Sequence, residues 1–482
     1  MYRAKIVGQE YISDFFLPFG GKLSANNRWV RLSKLIPWDE IEKEYLKNFK
    51  AKDGQVAKSA RVAFGSLYIQ IKCSHTDEET RQQIIENPYL QYFLGFDGYT
   101  DEPPFDASMM THFRKRISIE FIKTIMEKLI VTEASEDDNN KNSGEKSVAN
   151  TSESANSDTE HKGKLLLDAT CLPADIHFPT DIWLLNEGRE KLELIIDILY
   201  PQVKHKYVVK PRTYRENAHT DYMKIAKLRK RSKKIIRKSI RQQLSYIERD
   251  LGHIEDLLKN EADLSALDKT LYRKLLVIGE IYRQQKHMYD NRTNQVDDRI
   301  VSISQPHVRP IKRGKAGADT EFGAKIAISL VNGDAFIDKI SWDNFNEEGY
   351  LEQAVETYRK RYGHYPESVI ADRIYKNRNN RSYCKALGIR LSGPRLGRPK
   401  ADEIEIDKKQ AYVDSCIRNA VEGEFGVGKR KYGLSRIMAK LNETSEAVIG
   451  MHFLVMNMER RLRLLFARLI KWLFMPFYQV EI

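Results

Sequence analysis

Three stretches of the sequence hold residue types that do chemistry in combination. KLLLDATCL places Asp168 at the centre of an apolar run, and SVIADRIY places Asp372 toward the end of another. A carboxylate in such a run is costly to bury unless it is paired or coordinates a metal. In the third stretch, SCIRNAVEGEFGVGKRKYGLSR, Arg418, Glu422 and Lys429 are spaced by four and seven. On one continuous helix these residues share a face, so a carboxylate and two cations point the same way. Carboxylates brought together repel unless a cation stands between them, and oxygen ligands with room for water and phosphate suit Mg²⁺ or Mn²⁺. Cations beside such an acid suit the gripping of phosphates. Gly423, Gly426 and Gly428 each cost a helix roughly 1 kcal/mol relative to Ala, which leaves open whether Lys429 stays on the same helix.

Other candidates are weaker. Glu424 lacks the four-residue step from Arg418, and Asp175, Asp181, Asp338 and Asp343 read as surface or turn acids. GEFGVGKR fits G-x-x-x-x-G-K, but Arg430 replaces the Ser or Thr that a nucleotide's Mg²⁺ needs, so no nucleotide cofactor is expected. The eleven His form no HExxH pair and the four Cys no CxxC, which argues against a zinc hydrolase and a disulfide framework and fits a reducing cytoplasm.

The chain of 482 residues carries 80 Lys+Arg against 67 Asp+Glu, a net charge of +13. A surplus of this kind favours nucleic acid or an anionic membrane surface as partner. No export signal is expected at the start, and Arg463, Arg468 and Lys471 interrupt the apolar tail, so a helix docked by its apolar face is expected rather than a membrane span. The densest basic stretch, Lys224 to Arg241, includes Arg229, Lys230, Arg231, Lys233 and Lys234 and no acid. Its ordinary alternative is the solvated face of a long helix. Such a face gains from mixing signs, and this one does not, which favours phosphate contact. Arg313 and Lys315 in HVRPIKRGKAG, and Arg395 and Arg398 in PRLGRPK, are further DNA-contact candidates on loops.

The elements that must position the acids follow from periodicity. Residues 1–132 read as an all-helical domain, with DASMMTHFRKRISIEFIKTIMEKLI as one helix opened by Asp106 and Ser108. Residues 133–162 form an acidic, low-complexity stretch, expected as a disordered linker. From 163 to 440 the order is strand with Asp168, helical insertion over about 176–300, two strands joined at Asn332-Gly333-Asp334, helix, strand with Asp372, helix, strand, helix with Glu422. This α/β order is RNase H-like, and it makes the first and fourth strands neighbours. In the insertion, apolar residues stepping by three and four predict two long helices in an antiparallel hairpin, the first roughly 55 Å long. Residues 441–482 read as a C-terminal amphipathic helix.

LLLDATCLPADIHFPTD, VIADRIYKNRNNRSYCKALGIRLSGPRLGRP and RNAVEGEFGVGKRKYGL together resemble bacterial insertion-sequence transposases of the DDE class. The group resembled carries its third acid in a Y-x-x-R-x-x-x-E-x-x-x-x-x-x-K signature. Asp168, Asp372 and Glu422 match the family's catalytic acids, and Arg418 and Lys429 match the signature's basic positions. Ser415 stands where Tyr is expected, a departure that bears on one DNA contact and leaves the acids intact.

The resemblance implies two Mg²⁺ or Mn²⁺ ions per site, hydrolysis at each element end, and attack of the freed 3′-hydroxyl on target DNA. It further implies an N-terminal domain that helps bind terminal inverted repeats, a homodimer joining two ends, and action at the nucleoid of a bacterial cytoplasm. Two alternatives remain at this level: a catalytically silent DNA-binding protein derived from a transposase, and a stand-alone nuclease on the same fold.

Overall fold

The computed structural model describes residues 15–17, 20–49, 56–129, 161–315, 318–393 and 401–474. The expected linker lies outside the described residues except for its last two positions. The chain divides into two compact units. One comprises Met1–Pro173, Lys325–Ser341 and Phe345–Ile482, and the other Ala174–Ala324 with Trp342–Asn344.

The first unit opens with α1 (Arg28–Leu35), α2 (Trp38–Leu46), α3 (Ala60–Cys73), α4 (Asp77–Glu86), α5 (Pro88–Phe93), α6 (Met109–Arg116) and α7 (119–129). Their starts are written in cap residues: Asn27, Ser59, Thr76 and Asn87 each accept a backbone N–H of the helix that follows. The segment expected as one helix is two, because Ser118 caps a new start by accepting from Phe121 N at 3.2 Å. α3 is buried almost all round, and Trp29, Trp38, Phe64, Tyr68 and Phe93 meet edge to face or tilted around it.

The second unit is helical apart from its strands. It holds α8 (Asp181–Val203), α9 (Arg215–Ala226), α10 (Lys233–Lys259) and α11 (Lys269–Asp290). Leu192, Ile196, Ile247, Ile254, Ile278 and Ile281 fill its core, so the seam read from the sequence on α10 and α11 is buried, with α8 packed on both. The 55 Å helix does not form. α9 ends at Ala226, the chain turns through 227–232, and Ser232 caps α10 by accepting from Ile235 N. Like charges in such density oppose one continuous helix, and the break spreads them over a turn and two ends. α10, with 27 residues, spans about 40 Å.

A buried polar layer crosses this core. Arg189 is 1% exposed and donates to Glu193 and to Asn186, while Asp250 is fully buried with neither carboxyl oxygen hydrogen-bonded. Burial, reinforced by Glu193, pushes Asp250 up to about 8 against the pull of Arg189, Arg249 and Arg215. The folded state therefore keeps a proton that the unfolded chain releases above about pH 4. Stability of the helical unit is expected to fall as pH rises from there to about 8 and then to level off. Asp250→Asn should remove that slope and raise the melting temperature at pH 8, and denaturation at pH 5 and pH 8 checks both.

The sheet order is β2-β3-β1-β5-β6, with β4 on the other side of β3. β1 is Lys164–Pro173, β2 Arg309–Lys315, β3 Ala318–Val331, β4 Asp334–Ser341, β5 Ser368–Ala371 and β6 Arg390–Leu391. β2 departs from the sequence expectation. HVRPIKRGKAG reads as a loop, yet Arg309 to Lys312 pair antiparallel with Gly323 to Thr320 of β3. β3 and β4 form the expected hairpin, turning on Asn332 and Gly333 at φ 52 and 87. β1 runs parallel to β5, and β5 parallel to β6. α12 (Leu351–Tyr362) crosses from β4 to β5, α13 (Arg378–Ala386) from β5 to β6, and α14 (Ala401–Lys431) and α15 (Asn442–Phe474) follow.

α14 runs without a break through its glycines. At Gly428 the packing is close: a Cβ would meet Leu434 Cδ1 at 2.7 Å and Met456 Sδ of α15 at 3.2 Å, so a larger residue would make these side chains shift. α15 is buried on all sides from Ile449 to Glu459 rather than along one face, and a Cβ at Gly450 would lie 2.6 Å from Ile119 Cδ1. Lys72 of α3 donates to Glu459, an ion pair of two nearly buried side chains that fixes α15 against the N-terminal helices. Among the described residues no helix is long and apolar enough to cross a membrane.

Candidate active site

The parallel register of β1 and β5 ends on Leu167↔Ala371. Asp168 is the next residue of β1 and Asp372 the first residue after β5, so each acid directly follows the last registered pair of two neighbouring strands. Each takes the N–H of its successor: Ala169 N donates to Asp168 Oδ1 at 2.8 Å and Arg373 N to Asp372 Oδ1 at 2.7 Å. Asp168 is half-buried, and burial pushes its carboxyl up to about 6. The charges of Glu347 and Asp372 add to that rise, while the Ala169 N–H and Arg418 oppose it.

α14 brings the third acid. Arg418 Nη1 donates to Asp372 Oδ1 at 2.8 Å and Nη2 to Glu422 Oε1 at 3.2 Å, so one guanidinium spans the strand acid and the helix acid. Because α14 is continuous, Lys429 shares the helix with both and donates to Thr170 Oγ1 at 3.3 Å, two residues beyond Asp168 on β1. Arg390 of β6 forks onto Asp414 at 2.8 and 2.9 Å, one turn before Arg418, and fixes the helix against the sheet.

The residues present suit a divalent cation by donor chemistry: three carboxylates, no sulfur or imidazole, and a cation already lodged between two of them. Among the described residues no three His, Cys, Asp or Glu side chains stand together as a preformed cage. Arg418 holds Asp372 and Glu422 instead.

Sequence reasoning missed Glu347. It lies in the turn before α12, paired with Lys325 of β3 at 2.9 Å with both side chains largely buried, and its charge bears on Asp168 more than that of Asp372 does. NEEG offers only surface acids to a reader of the sequence, and no local signal separates Glu347 from Glu348. Asp338, read as a surface or turn acid, lies on β4 and accepts from Ser329 Oγ at 3.0 Å, and burial pushes it up to about 7. Glu424 is half-buried, and burial raises its carboxyl against the pull of Arg463 and Arg460, charges of α15.

In the second unit, Arg229, Lys230 and Arg231 lie in the turn between α9 and α10, and Lys233 and Lys234 in the first turn of α10, all exposed. Arg231 Nη2 donates to Ala226 O, closing α9. The side chains of Arg313 and Lys315, and Arg395 and Arg398 entirely, lie outside the described residues.

Residues 369–459 match the family model of a transposase DDE domain, and residues 18–116 that of a transposase domain. The first takes in Asp372, Arg418, Glu422 and Lys429, while Asp168 lies before it. A curated relative, "Uncharacterized protein ORF8 in nfe locus" of Rhizobium meliloti, is 36% identical over 97 residues, which cover 20% of this chain and 46% of that protein. The chain thus spans about half the length of that relative. No solved structure matches. A match to a transposase domain toward the start of the chain and to a transposase DDE domain around the Asp372 and Glu422 elements supports its resemblance to the insertion-sequence transposases of the DDE class.

Proposed function

We propose that the protein cuts DNA at the ends of its own element and joins the freed 3′-ends to target DNA, from an RNase H-like core in which Asp168, Asp372 and Glu422 form one site. The observation that carries this reading is the Arg418 guanidinium that ties Asp372 to Glu422, and it is supported by the parallel register of β1 and β5 whose last pair Asp168 and Asp372 each follow. Two divalent ions, Mg²⁺ or Mn²⁺, held by the three carboxylates, would supply the Lewis acidity that in-line displacement at phosphorus requires. The chain's own part is placement and charge. Asp168 and Asp372 are fixed at the ends of the paired segments of two neighbouring strands, and their following N–H groups hold the carboxyls in one orientation. Arg418 and Lys429, on the same helix as Glu422, neutralise phosphates on either side of the cut. Attack by water and then by a 3′-hydroxyl needs no covalent protein intermediate.

Double-stranded DNA is the partner in this reading, both element ends and target, with two protomers joining two ends. The N-terminal helices bind the ends, and the exposed cations from Arg229 to Lys234 contact backbone phosphates. The place of action is the bacterial cytoplasm, at the nucleoid.

The test uses the purified protein with Mg²⁺ and a plasmid carrying the DNA that flanks the gene. Excised element and strand-transfer product are expected. Cleavage without joining would make the protein a nuclease, and binding without cleavage would make it a silent DNA-binding derivative.

A further inference from the structure

Arg418 is placed in a way that its role as a phosphate contact does not explain. Its two terminal nitrogens are each committed to a different carboxylate, Asp372 at 2.8 Å and Glu422 at 3.2 Å. Both acids are more than half exposed, and Arg418 is 31% exposed. A guanidinium stays charged at any working pH and presents its donors in a rigid fork, so one side chain balances both carboxylates at once. A divalent ion that takes oxygens from the same two carboxylates competes with it directly, because two cations cannot share those oxygens without repelling. The fork that fits two carboxylates also fits phosphate.

We propose that Arg418 is the resident counter-ion of the metal site. DNA phosphate draws it away and thereby raises the site's affinity for divalent metal, so that metal and DNA bind with positive coupling through this one side chain. The inference rests on the reading of Asp372 and Glu422 as metal ligands. The coupling is reciprocal by linkage: metal that displaces Arg418 frees a cation for the DNA backbone. The other cations near the site do not duplicate this role. Lys429 is engaged with Thr170, and the Lys376 charge acts on Asp414 as well as on Asp372. A protein so arranged loads metal where DNA is already seated, which limits hydrolysis by a metal-charged site away from DNA.

The test measures Mn²⁺ affinity of the full chain from the electron paramagnetic resonance signal of free Mn²⁺. Wild type, R418Q, R418K and D372N are compared with and without a short duplex oligonucleotide of arbitrary sequence, after subtraction of the Mn²⁺ held by the duplex alone. The low-salt backbone contact of such a duplex does not depend on sequence. In wild type the duplex is expected to tighten Mn²⁺ binding on the order of tenfold. R418Q should bind Mn²⁺ about that much more tightly without DNA and gain little from it. R418K, a point charge that cannot fork, should fall between. If R418Q binds Mn²⁺ no better than wild type, or if the duplex strengthens both equally, the phosphate acts as a metal ligand on its own and the counter-ion proposal falls. D372N separates the two readings: Mn²⁺ binding retained in D372N overturns the ligand assignment itself. Its loss in D372N with no gain in R418Q overturns only the coupling.

Discussion

Asp168→Asn, Asp372→Asn and Glu422→Gln are each expected to lower strand cleavage and strand transfer on the order of a thousandfold or more, with folding and DNA binding retained. Each exchange keeps the size of the side chain and removes the charge that, in the proposed reading, would hold a cation at the reacting phosphate. Asp372 and Glu422 are more than half exposed, so the loss of their ion pairs with Arg418 costs the fold about 1 kcal/mol or less. Asp168 is half-buried and its ionised form is disfavoured there, so an amide does not weaken the fold by removing a charge pair. Glu424→Gln is the control. That acid sits two residues from Glu422 among the charges of α15 and should cleave as wild type does. Single-turnover cleavage of end DNA, with thermal melting and gel-shift binding measured on the same preparations, checks the set. A melting temperature lowered in step with activity would mean that the acids support structure rather than chemistry.

Charge reversal at Arg229, Lys230 and Arg231 is expected to weaken DNA binding roughly ten- to a hundredfold at moderate salt. The slope of log affinity against log salt should flatten by about 0.9 for each phosphate that is no longer neutralised. These side chains project from a turn rather than from a packed face, so their replacement frays the end of α9 that Arg231 closes and leaves the helical core intact. Lys233 and Lys234 strengthen the expectation. They occupy the first turn of α10, where no acid is present and where the helix end already carries partial positive charge. That placement is unfavourable in the isolated protein and is offset when a phosphate lies there. Binding isotherms at several salt concentrations give the slope, and an unchanged slope would return the turn to a solvated surface.

What the sequence discloses, and what it withholds, follows from how local each signal is. An apolar run marks β1 and β5 as strands, its carboxylate becomes a site candidate only together with the other acids and their basic partners, and the four-residue step from Arg418 to Glu422 needs only a helix to have meaning. The order of strands and crossovers is legible for the same reason, since each element carries its own period. The break after Ala226 is not, because the basic residues on both sides extend the helical pattern and only Ser232 marks the new start. β2 reads as a loop because RPIKRGK has neither an apolar alternation nor a strand composition, and its pairing with β3 is supplied by the neighbour. The glycines of α14 suggest a weak helix. At Gly428 the close neighbours are Leu434 and, far along the chain, Met456, whose approach no local pattern shows. Glu347 escapes for a comparable reason: what distinguishes it from Glu348 is Lys325 on β3.

The central claim is that Asp168, Asp372 and Glu422 hold metal together at the DNA backbone. Anomalous diffraction at the manganese edge, from crystals of the full chain grown with duplex DNA and Mn²⁺, tests it most directly. The account predicts manganese bonded to carboxylate oxygens of Asp168 and Asp372, with Glu422 in the same cluster and Arg418 turned from the acids onto phosphate. Manganese bound elsewhere, with Arg418 still spanning Asp372 and Glu422 beside the seated DNA, would contradict it.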